Sequence, residues 1–479
     1  MPAADPVSKI ARRTALLAGA AGALACLWMA WCMFPCFAWN ELRLAPAFAL
    51  RHGINPYPPL DGGPVSTWIY GPVGILVDLP ATFATSAAGA LQIAGLTTIV
   101  MIAVPLAVVF FGSGEMRARG AWTPWFALTL GILLRTTANF MFQVPDQTAI
   151  ALGLLSGWCL ARRPDPTRAA IAVAAGLCVL AIWSKQLAVL LMPAEVAFLL
   201  ISRHRAGAFR YVGWFAAFGL LAAGICVAAF GFDNLWLNLV AIPGRLPWAN
   251  FADRLAVRPA ALAAQVVLPS IALAALWRIG KWPDRSRESG RFFQFTVLAY
   301  FAMLPLGLAA FFKIGGDTNT IHSWSYLLPG ALLLWLASDR ATPVASLRLL
   351  AAATGALALH ASDFAALPAG PLTEHLDVAA QLTAAYPHAI WFPQNPVVTF
   401  YADGRLWHSE DGVRTRNLAG YAPRQAAFRR YLPPNLRAIA YPENEDVSLA
   451  TALLPEFNQR AVLPHWTLLT SPPARPASP

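Results

Sequence analysis

The sequence predicts a mainly α, polytopic helical membrane protein with a small soluble C-terminal α/β domain. Three observations predict it. First, the 479-residue chain is 57% hydrophobic and 12% charged, with a mean hydropathy of +0.53. A soluble chain carries roughly 25% charged residues, so this chain cannot cover a soluble surface, and disorder, collagen and coiled coil are excluded with it. Second, apolar runs recur through residues 1–366, separated by short Arg-rich loops. Third, residues 367–479 hold nine Asp/Glu and nine Arg, the composition of an ordinary soluble domain.

The net charge of +11 is spread over short clusters between apolar runs. That is the positive-inside pattern and not a nucleic-acid footprint, so no nucleic-acid partner is expected. Only Lys9, Lys185, Lys281 and Lys313 are lysines among the 35 basic residues. This Arg-over-Lys bias fits a bacterial inner membrane.

Lys9, Arg12 and Arg13 precede an apolar run over residues 14–38. It exceeds the about 7–15 residues of a secretory signal core and reads as a first spanning helix. Further runs fall near 91–112, 121–136, 147–161, 169–184, 187–202, 211–230, 259–278, 293–312, 323–338 and 347–366. The segment Gly71–Pro80 is apolar but short, and Pro72 and Pro80 break it. If it spanned, every later basic loop would change sides, so parity lays it in the outer interface as a juxtamembrane segment. About eleven spans remain. Arg117 and Arg119, Arg162 and Arg163, Arg203 and Arg205, Lys281 to Arg291, and Arg340 with Arg348 then all lie in the cytoplasm. The N-terminus is cytoplasmic, the first outer loop covers about 39–90, and the C-terminal domain is periplasmic.

Within that domain Pro396–Tyr401 reads as a strand and Ala402-Asp-Gly404 as a turn. The end from Ser471 is Pro-rich. The six cysteines fall in apolar runs without CxxC spacing and read as packing residues. The histidines show no zinc spacing, and there is no GxGxxG, P-loop or GxSxG. No metal ligand set and no cofactor are expected, although a divalent ion beside Asp61 stays open.

The orientation gathers polar residues on the outer side. Glu41 lies just beyond the first helix, followed by Arg43, Arg51 and His52. Arg135 and Asp146 flank the next outer loop, then come Ser184-Lys-Gln186, a loop with Asp233, Arg245 and Asp253, and Lys313 to His322 with Asp317 and Asn319. Lys185 and Lys313 break the positive-inside rule. A cation held at the outer boundary suggests an anionic partner such as a phosphate; the plain alternative is snorkelling. Glu41, in apolar surroundings, is a candidate general base, against the plain reading of a loop acid paired with Arg43. Asp61, in a turn-like Leu-Asp-Gly-Gly, is the competing carboxylate. Asn55-Pro-Tyr-Pro-Pro59 must be an extended ledge, and Tyr57, Trp68 and Tyr70 present rings to an outer cleft. Glu195, inside a span beside Pro193, reads most plainly as a buried hydrogen-bonding acid.

A first helix, an acid soon after it, then Gly53-Ile-Asn-Pro-Tyr-Pro-Pro59 and Tyr70-Gly-Pro72 in a long outer loop resemble the GT-C superfamily. These are multi-pass glycosyltransferases that use polyprenyl-phosphate-linked sugars, among them protein mannosyltransferases and aminoarabinose transferases. The resemblance covers about residues 14–338. It implies a catalytic acid at Glu41 and a juxtamembrane helix at Gly71–Pro80. The polar stretches Val144-Pro-Asp146, Ser184-Lys-Gln186 and Lys313–Asn319 are similar to motifs of related proteins. One departure is Asn40-Glu41, where relatives often carry Asp or an acidic pair.

The resemblance further implies that the donor phosphate sits at the outer interface against Lys185, Lys313, Arg245 and His322. Arg43, Tyr57, Tyr70, Asp146, Gln186, Asp317 and Asn319 would line the substrate cleft. Glu41, or failing it Asp61, would take the acceptor's proton, and a glycan, lipid or protein would be the acceptor. A phosphate leaving group needs no strong acid, so one carboxylate suffices. The stretches Trp391–Asn395 and Leu406–Gly412 are candidates for positioning the acceptor. Two other classes compete. A transporter or flippase of a lipid-linked or anionic substrate would show repeat symmetry and a midplane site, and neither is seen. A non-catalytic membrane protein displaying its C-terminal domain would tolerate loss of Glu41, Lys185 and Lys313.

Overall fold

The computed structural model describes residues 6–471 apart from Thr67, 119–121, 137–140, 143–144, Lys281, His322, 338–342 and Asn444. Each apolar run is helical. The membrane part comprises α1 (Pro6–Met33), α2 (Ala38–Arg51), α3 (Pro72–Asp78), α4 (Ala87–Gly112), α5 (Gly114–Ala118), α6 (Trp122–Thr136), α7 (Asp146–Ala161), α8 (Arg168–Ser184) and α9 (Leu191–Ile201). It continues with α10 (Arg205–Phe230), α11 (Phe232–Trp236), α12 (Ile242–Arg245), α13 (Phe251–Val257), α14 (Pro259–Leu262), α15 (Leu268–Arg278), α16 (Glu288–Phe311), α17 (Ser323–Ala337) and α18 (Pro343–Ala365). Five helical stretches are long and apolar enough to cross a bilayer: Lys9–Cys36, Ala87–Gly112, Arg205–Phe230, Pro259–Arg278 and Glu288–Phe311. Among the described residues, Pro72–Phe83, Arg168–Ser184 and Gln186–Ile201 are shorter apolar helices. This is a multi-pass helical membrane protein.

Local chemistry sets the helix starts. Ser86 accepts a hydrogen bond from the Gly89 amide at 3.1 Å and caps α4, and Thr167 caps α8 by accepting from Ala170 at 3.2 Å. The segment Gly71–Pro80 does not span. Pro72 starts α3 after one extended residue, Pro80 turns it into a 3₁₀ turn (Leu79–Phe83), and the whole lies beside α2 and α4.

In the bundle α1 packs on α6 and α18, α7 on α8 and α4, and α16 on α17 and α9. Its core holds Phe110, Trp158, Phe292, Phe295 and Tyr326. By contrast α10 and the rod Pro259–Arg278 are bare apolar helices, with 6% and 17% of their central windows buried. Their rings and aliphatic side chains suit hydrocarbon, where helices satisfy their own backbone.

The basic connections meet at one end. Arg291 donates to the Ala161 carbonyl at 2.8 Å and to that of Arg162 at 3.0 Å. Glu288 accepts from Ser113 at 2.8 Å, and Arg287 pairs with Glu115 at 3.6 Å. Helix α7 runs from this end, at Ala161, to Asp146 at the end where α2, α3 and the C-terminal domain lie.

The C-terminal domain contains α19 (Glu374–Ala385), β1 (Ile390–Trp391), α20 (Pro396–Asp403), α21 (Glu410–Leu418), α22 (Gln425–Arg430), β2 (Ala438–Pro442), α23 (Ser448–Leu453), β3 (Gln459–Leu463) and β4 (Trp466–Thr470). The sheet order is β1-β2-β4-β3, with β1 parallel to β2 and the other pairs antiparallel. The strand expected at Pro396–Tyr401 is helix instead. Pro396 occupies the first helical turn, Val397 and Val398 are buried on one face, and Gly404 ends the helix at φ +66°. Position outweighs the β preference of valine.

The domain is not a detached appendage. One apolar cluster joins Phe48, Ile75 and Leu91 of the membrane part to Phe392, Val397 and Trp466 of the domain.

Candidate active site

The site is built on the 52–71 loop. Its prolines leave backbone carbonyls that no helix or sheet satisfies, and buried side chains take them up. The Arg416 guanidinium donates to Pro58 at 2.7 Å, Pro59 at 3.0 Å and Leu60 at 3.2 Å, and to Asn238 Oδ1 at 3.0 Å. Arg416 is 2% exposed, and burial pulls its pKa down to about 10. Asn238 in turn donates to Pro58 at 3.1 Å, and Asn55 to Phe230 at 3.1 Å. The loop is thus clamped between α21 and the segment after α10.

Tyr57 is a strut within the loop. Its hydroxyl donates to the Tyr70 carbonyl at 2.7 Å, and its ring meets Phe230 edge-on at 5.1 Å. Next, Gly71 lies against the Trp183 carbonyl of α8 so closely that a Cβ would collide with that oxygen. The Tyr-Gly-Pro motif needs its glycine for this approach, which sets the Tyr70 ring in place.

That ring faces a cavity of about 740 Å³ between the bundle and the C-terminal domain. Among the described residues its walls carry the cations Arg43, Lys185, Arg254, Lys313 and Arg414 and the carboxylates Asp317 and Asp411. Arg43 lies between rings, 4.3 Å from Trp39 and 4.9 Å from Tyr70. Lys185 is 3% exposed, bonds Asp146 at 2.6 Å and stands 5.3 Å from Tyr70. Asp146 starts α7 and Lys185 ends α8, so an ion pair closes this helix pair at its outer end. Gln186 donates to Ile69 at 2.7 Å and Leu239 at 3.2 Å, tying the loop to the next segment.

Lys313 follows α16 in a short bridge with Trp248. Its ammonium donates to the Pro243 carbonyl at 2.9 Å and the Gly244 carbonyl at 3.3 Å. An ammonium has three donors, and two of them are used among the described residues. Asp317 accepts from Thr318 N at 2.6 Å and from Arg258 at 3.3 Å, and Asn319 follows on the same wall. The fourth wall is α21. Its residues Asp411, Arg414, Thr415 and Leu418 face the cavity at i, i+3, i+4 and i+7, one stripe of a helix.

The structure relocates several expected residues. Glu41 does not reach the cavity. It is wholly buried against α20, where its carboxylate accepts from Asn395 Nδ2 at 2.7 Å and Val398 N at 3.1 Å. Burial pushes its pKa up to about 7 against these hydrogen bonds. Asn40 donates to Phe34 at 2.8 Å and Met141 at 3.2 Å. Glu41 thus forms an interdomain bond away from the cavity. Asp61 also lies outside the cavity lining: Arg424 binds it through Nε at 2.6 Å and its amide at 2.9 Å, and these hydrogen bonds lower its pKa.

Arg245 lies over the Tyr421 ring at 4.9 Å and is not among the residues that line the cavity. Tyr57 and Asp146 act one layer back, holding Tyr70 and Lys185. His322 and Val144 lie outside the described residues. Arg43, Tyr70, Lys185, Gln186, Lys313, Asp317 and Asn319 come together as expected neighbours of one space. Arg254, Arg414 and Thr415 were not singled out from the sequence. The polar stripe of α21 was the signal that could have found the last two.

A separate buried group lies in the bundle. Cys26, His360 and Asp363 place ligand-type atoms within 4.8 Å of one another. Both His360 nitrogens are already engaged, with Asp363 at 3.0 Å and the Gly131 carbonyl at 3.1 Å, and Arg135 pairs with Asp363 at 3.0 Å. This is an ion-paired cluster with its own cation.

No known protein family and no curated protein matches the chain. Among solved structures the chain is similar to ArnT from Cupriavidus metallidurans in the apo state, at 14% identity and a TM-score of 0.38, over 94% of this chain and 96% of that one.

Proposed function

We propose that the protein is a membrane glycosyltransferase of GT-C type. It moves a sugar from a polyprenyl-phosphate donor to an acceptor hydroxyl, with inversion, on the periplasmic face of a bacterial inner membrane. The observation that carries this reading is the cavity: a large space with mostly apolar walls into which five cations and two carboxylates are set, in a protein with bare apolar helices. A lipid-linked phosphate needs both environments at once. The convergence of the basic loops at the opposite end supports the orientation.

In the proposed reaction the Lys313 ammonium, with Arg43 and Arg254, holds the donor phosphate and offsets the charge that grows on it. Lys185 is held at the rim by Asp146 and adds to the field. The acceptor oxygen attacks the anomeric carbon as the carbon–phosphate oxygen bond breaks, and the bonding pair leaves with polyprenyl phosphate. The acceptor proton passes to a cavity carboxylate. Attack and departure lie on opposite sides of the carbon. We assign the proton-accepting role to Asp411, the cavity carboxylate that comes from the C-terminal domain. Asp317 belongs to the phosphate side. No metal is required in this scheme, since lysine and arginine supply the charge.

The test is a deletion complemented with wild type, Lys313→Ala, Asp411→Asn or Glu41→Gln, with lipid-linked sugars and envelope glycans profiled by mass spectrometry. The deletion should lose one sugar from a glycan while its prenyl-phosphate donor accumulates. Lys313→Ala and Asp411→Asn should reproduce this, and Glu41→Gln should not. An unchanged profile in the deletion overturns the reading in favour of transport or display.

A further inference from the structure

The membrane part supplies four of the five cavity cations, and each of them already has a protein neighbour. Lys185 has Asp146, Lys313 has two carbonyls and Trp248, Arg254 has the Lys313 carbonyl at 3.4 Å, and Arg43 has two rings. The fifth, Arg414, belongs to the C-terminal domain. It is exposed to the cavity and makes no hydrogen bond or ion pair among the described residues. It stands one turn along α21 from Asp411, with Thr415 and Leu418 completing the stripe.

The back of the same helix is fixed. Val413 and Arg416 are buried, Arg416 spans three loop carbonyls, and Gly412 lies against the Ser66 carbonyl with no room for a side chain. So α21 is a rigid element that turns one polar face into the space, and its Arg414 guanidinium is attracted by Glu410 and Asp446 without a hydrogen bond to either. A guanidinium presents a planar fork suited to an oxyanion.

Resting on the glycosyltransferase reading, we infer that α21 is the acceptor-reading wall and that the acceptor carries an oxyanion, a phosphate or a sugar carboxylate, close to its reacting hydroxyl. Arg414 binds that group, Thr415 hydrogen-bonds beside it, Leu418 packs on the adjoining carbon skeleton, and the hydroxyl is left at Asp411. The donor is held by residues of the membrane part. The two substrates are thus recognised by two different parts of the chain, and acceptor choice resides in residues 411–418.

The experiment uses the full-length protein in nanodiscs, with deletion-strain membranes as the source of donor and acceptor. Transfer is followed by mass spectrometry, and co-purified prenyl-phosphate sugar is measured in parallel. Arg414→Gln should lower transfer about ten-fold or more, the scale of a lost charge-assisted hydrogen bond, while co-purified donor stays at the wild-type amount. Arg414→Lys should recover part of the rate. Inorganic phosphate and glucuronate are added separately as competitors. Inhibition by phosphate alone identifies a phosphate-bearing acceptor, and by glucuronate alone a carboxylate-bearing one; either inhibition should vanish in Arg414→Gln.

The inference is overturned if Arg414→Gln transfers at the wild-type rate, if it loses co-purified donor as Lys313→Ala does, or if neither anion inhibits. A deletion with no glycan change would instead overturn the glycosyltransferase reading itself.

Discussion

Glu41 and Asn395 are 354 positions apart in sequence and joined by a 2.7 Å hydrogen bond. One residue starts the outer helix that follows the first span, the other starts a helix of the C-terminal domain. Their contact is wholly buried and holds an acid whose pKa burial has raised from 4.5 to about 7.

That shift makes the domain seam pH-dependent. An acid with a raised folded pKa binds more protons folded than unfolded, so its contribution to stability falls as pH rises. The loss should begin near 4.5 and be complete just above 7, with a magnitude of ~3 kcal/mol. Thermal unfolding of the purified protein at pH 5 and pH 8 checks it: the wild type should lose stability between them, and Glu41→Gln should lose distinctly less.

His408 has the opposite sign. Its Nδ1 accepts from Val65 N at 2.8 Å, so Nε2 carries the proton that goes to the Phe428 carbonyl at 3.1 Å. Burial keeps the ring neutral and pulls its pKa down to about 4. Stability from this residue should be intact above 6.5 and fall as pH drops through 4. A His408→Gln variant should show a shallower acid transition by the same melt.

Lys185 and Asp146 form a buried pair, so removing one partner should cost ~3–5 kcal/mol by breaking that ion pair. Lys185→Met should unfold at markedly lower temperature. Lys185→Met with Asp146→Asn should regain most of that stability but not transfer activity. Equal recovery of both would make the pair purely structural.

Arg416 serves three carbonyls at once, and Arg416→Ala would leave Leu60 without this donor and Pro58 and Pro59 with only Asn238 and the Gly62 amide. A destabilisation of about 1–3 kcal/mol is expected, read as faster proteolytic release of the C-terminal domain. Arg416→Lys should not rescue it, because a point charge cannot span the 58–60 carbonyls.

Much of this architecture is legible in the sequence because hydrocarbon imposes it. Apolar runs must be helices, and Arg-rich loops mark one side, so even the non-spanning Gly71–Pro80 segment follows from parity. The gathering of Arg43, Tyr70, Lys185, Gln186, Lys313, Asp317 and Asn319 around one space follows from the same placement, while the pairing of Lys185 with Asp146 and of Lys313 with two carbonyls does not. What escaped is the seam. Nothing near Glu41 in sequence announces Asn395, and the polar look of an acid beyond a helix end is the same whether it meets solvent or a distant helix. Val397 and Val398 misled for a related reason: proline before them and glycine after them set the backbone, while β-branched side chains only adapt to it. Arg414 was hidden among nine arginines of an ordinary-looking domain, and only the fold distinguishes it from its surface neighbours.

The cavity's last wall, residues 411–418, follows every spanning helix in the chain. A ribosome making this protein inserts the lysines and the aromatic ledge well before it makes α21. Until then the donor side exists without its opposite face. On the glycosyltransferase reading, synthesis order would then act as a safeguard, because a nascent or truncated chain would hold the donor residues before the residues assigned to the second substrate exist.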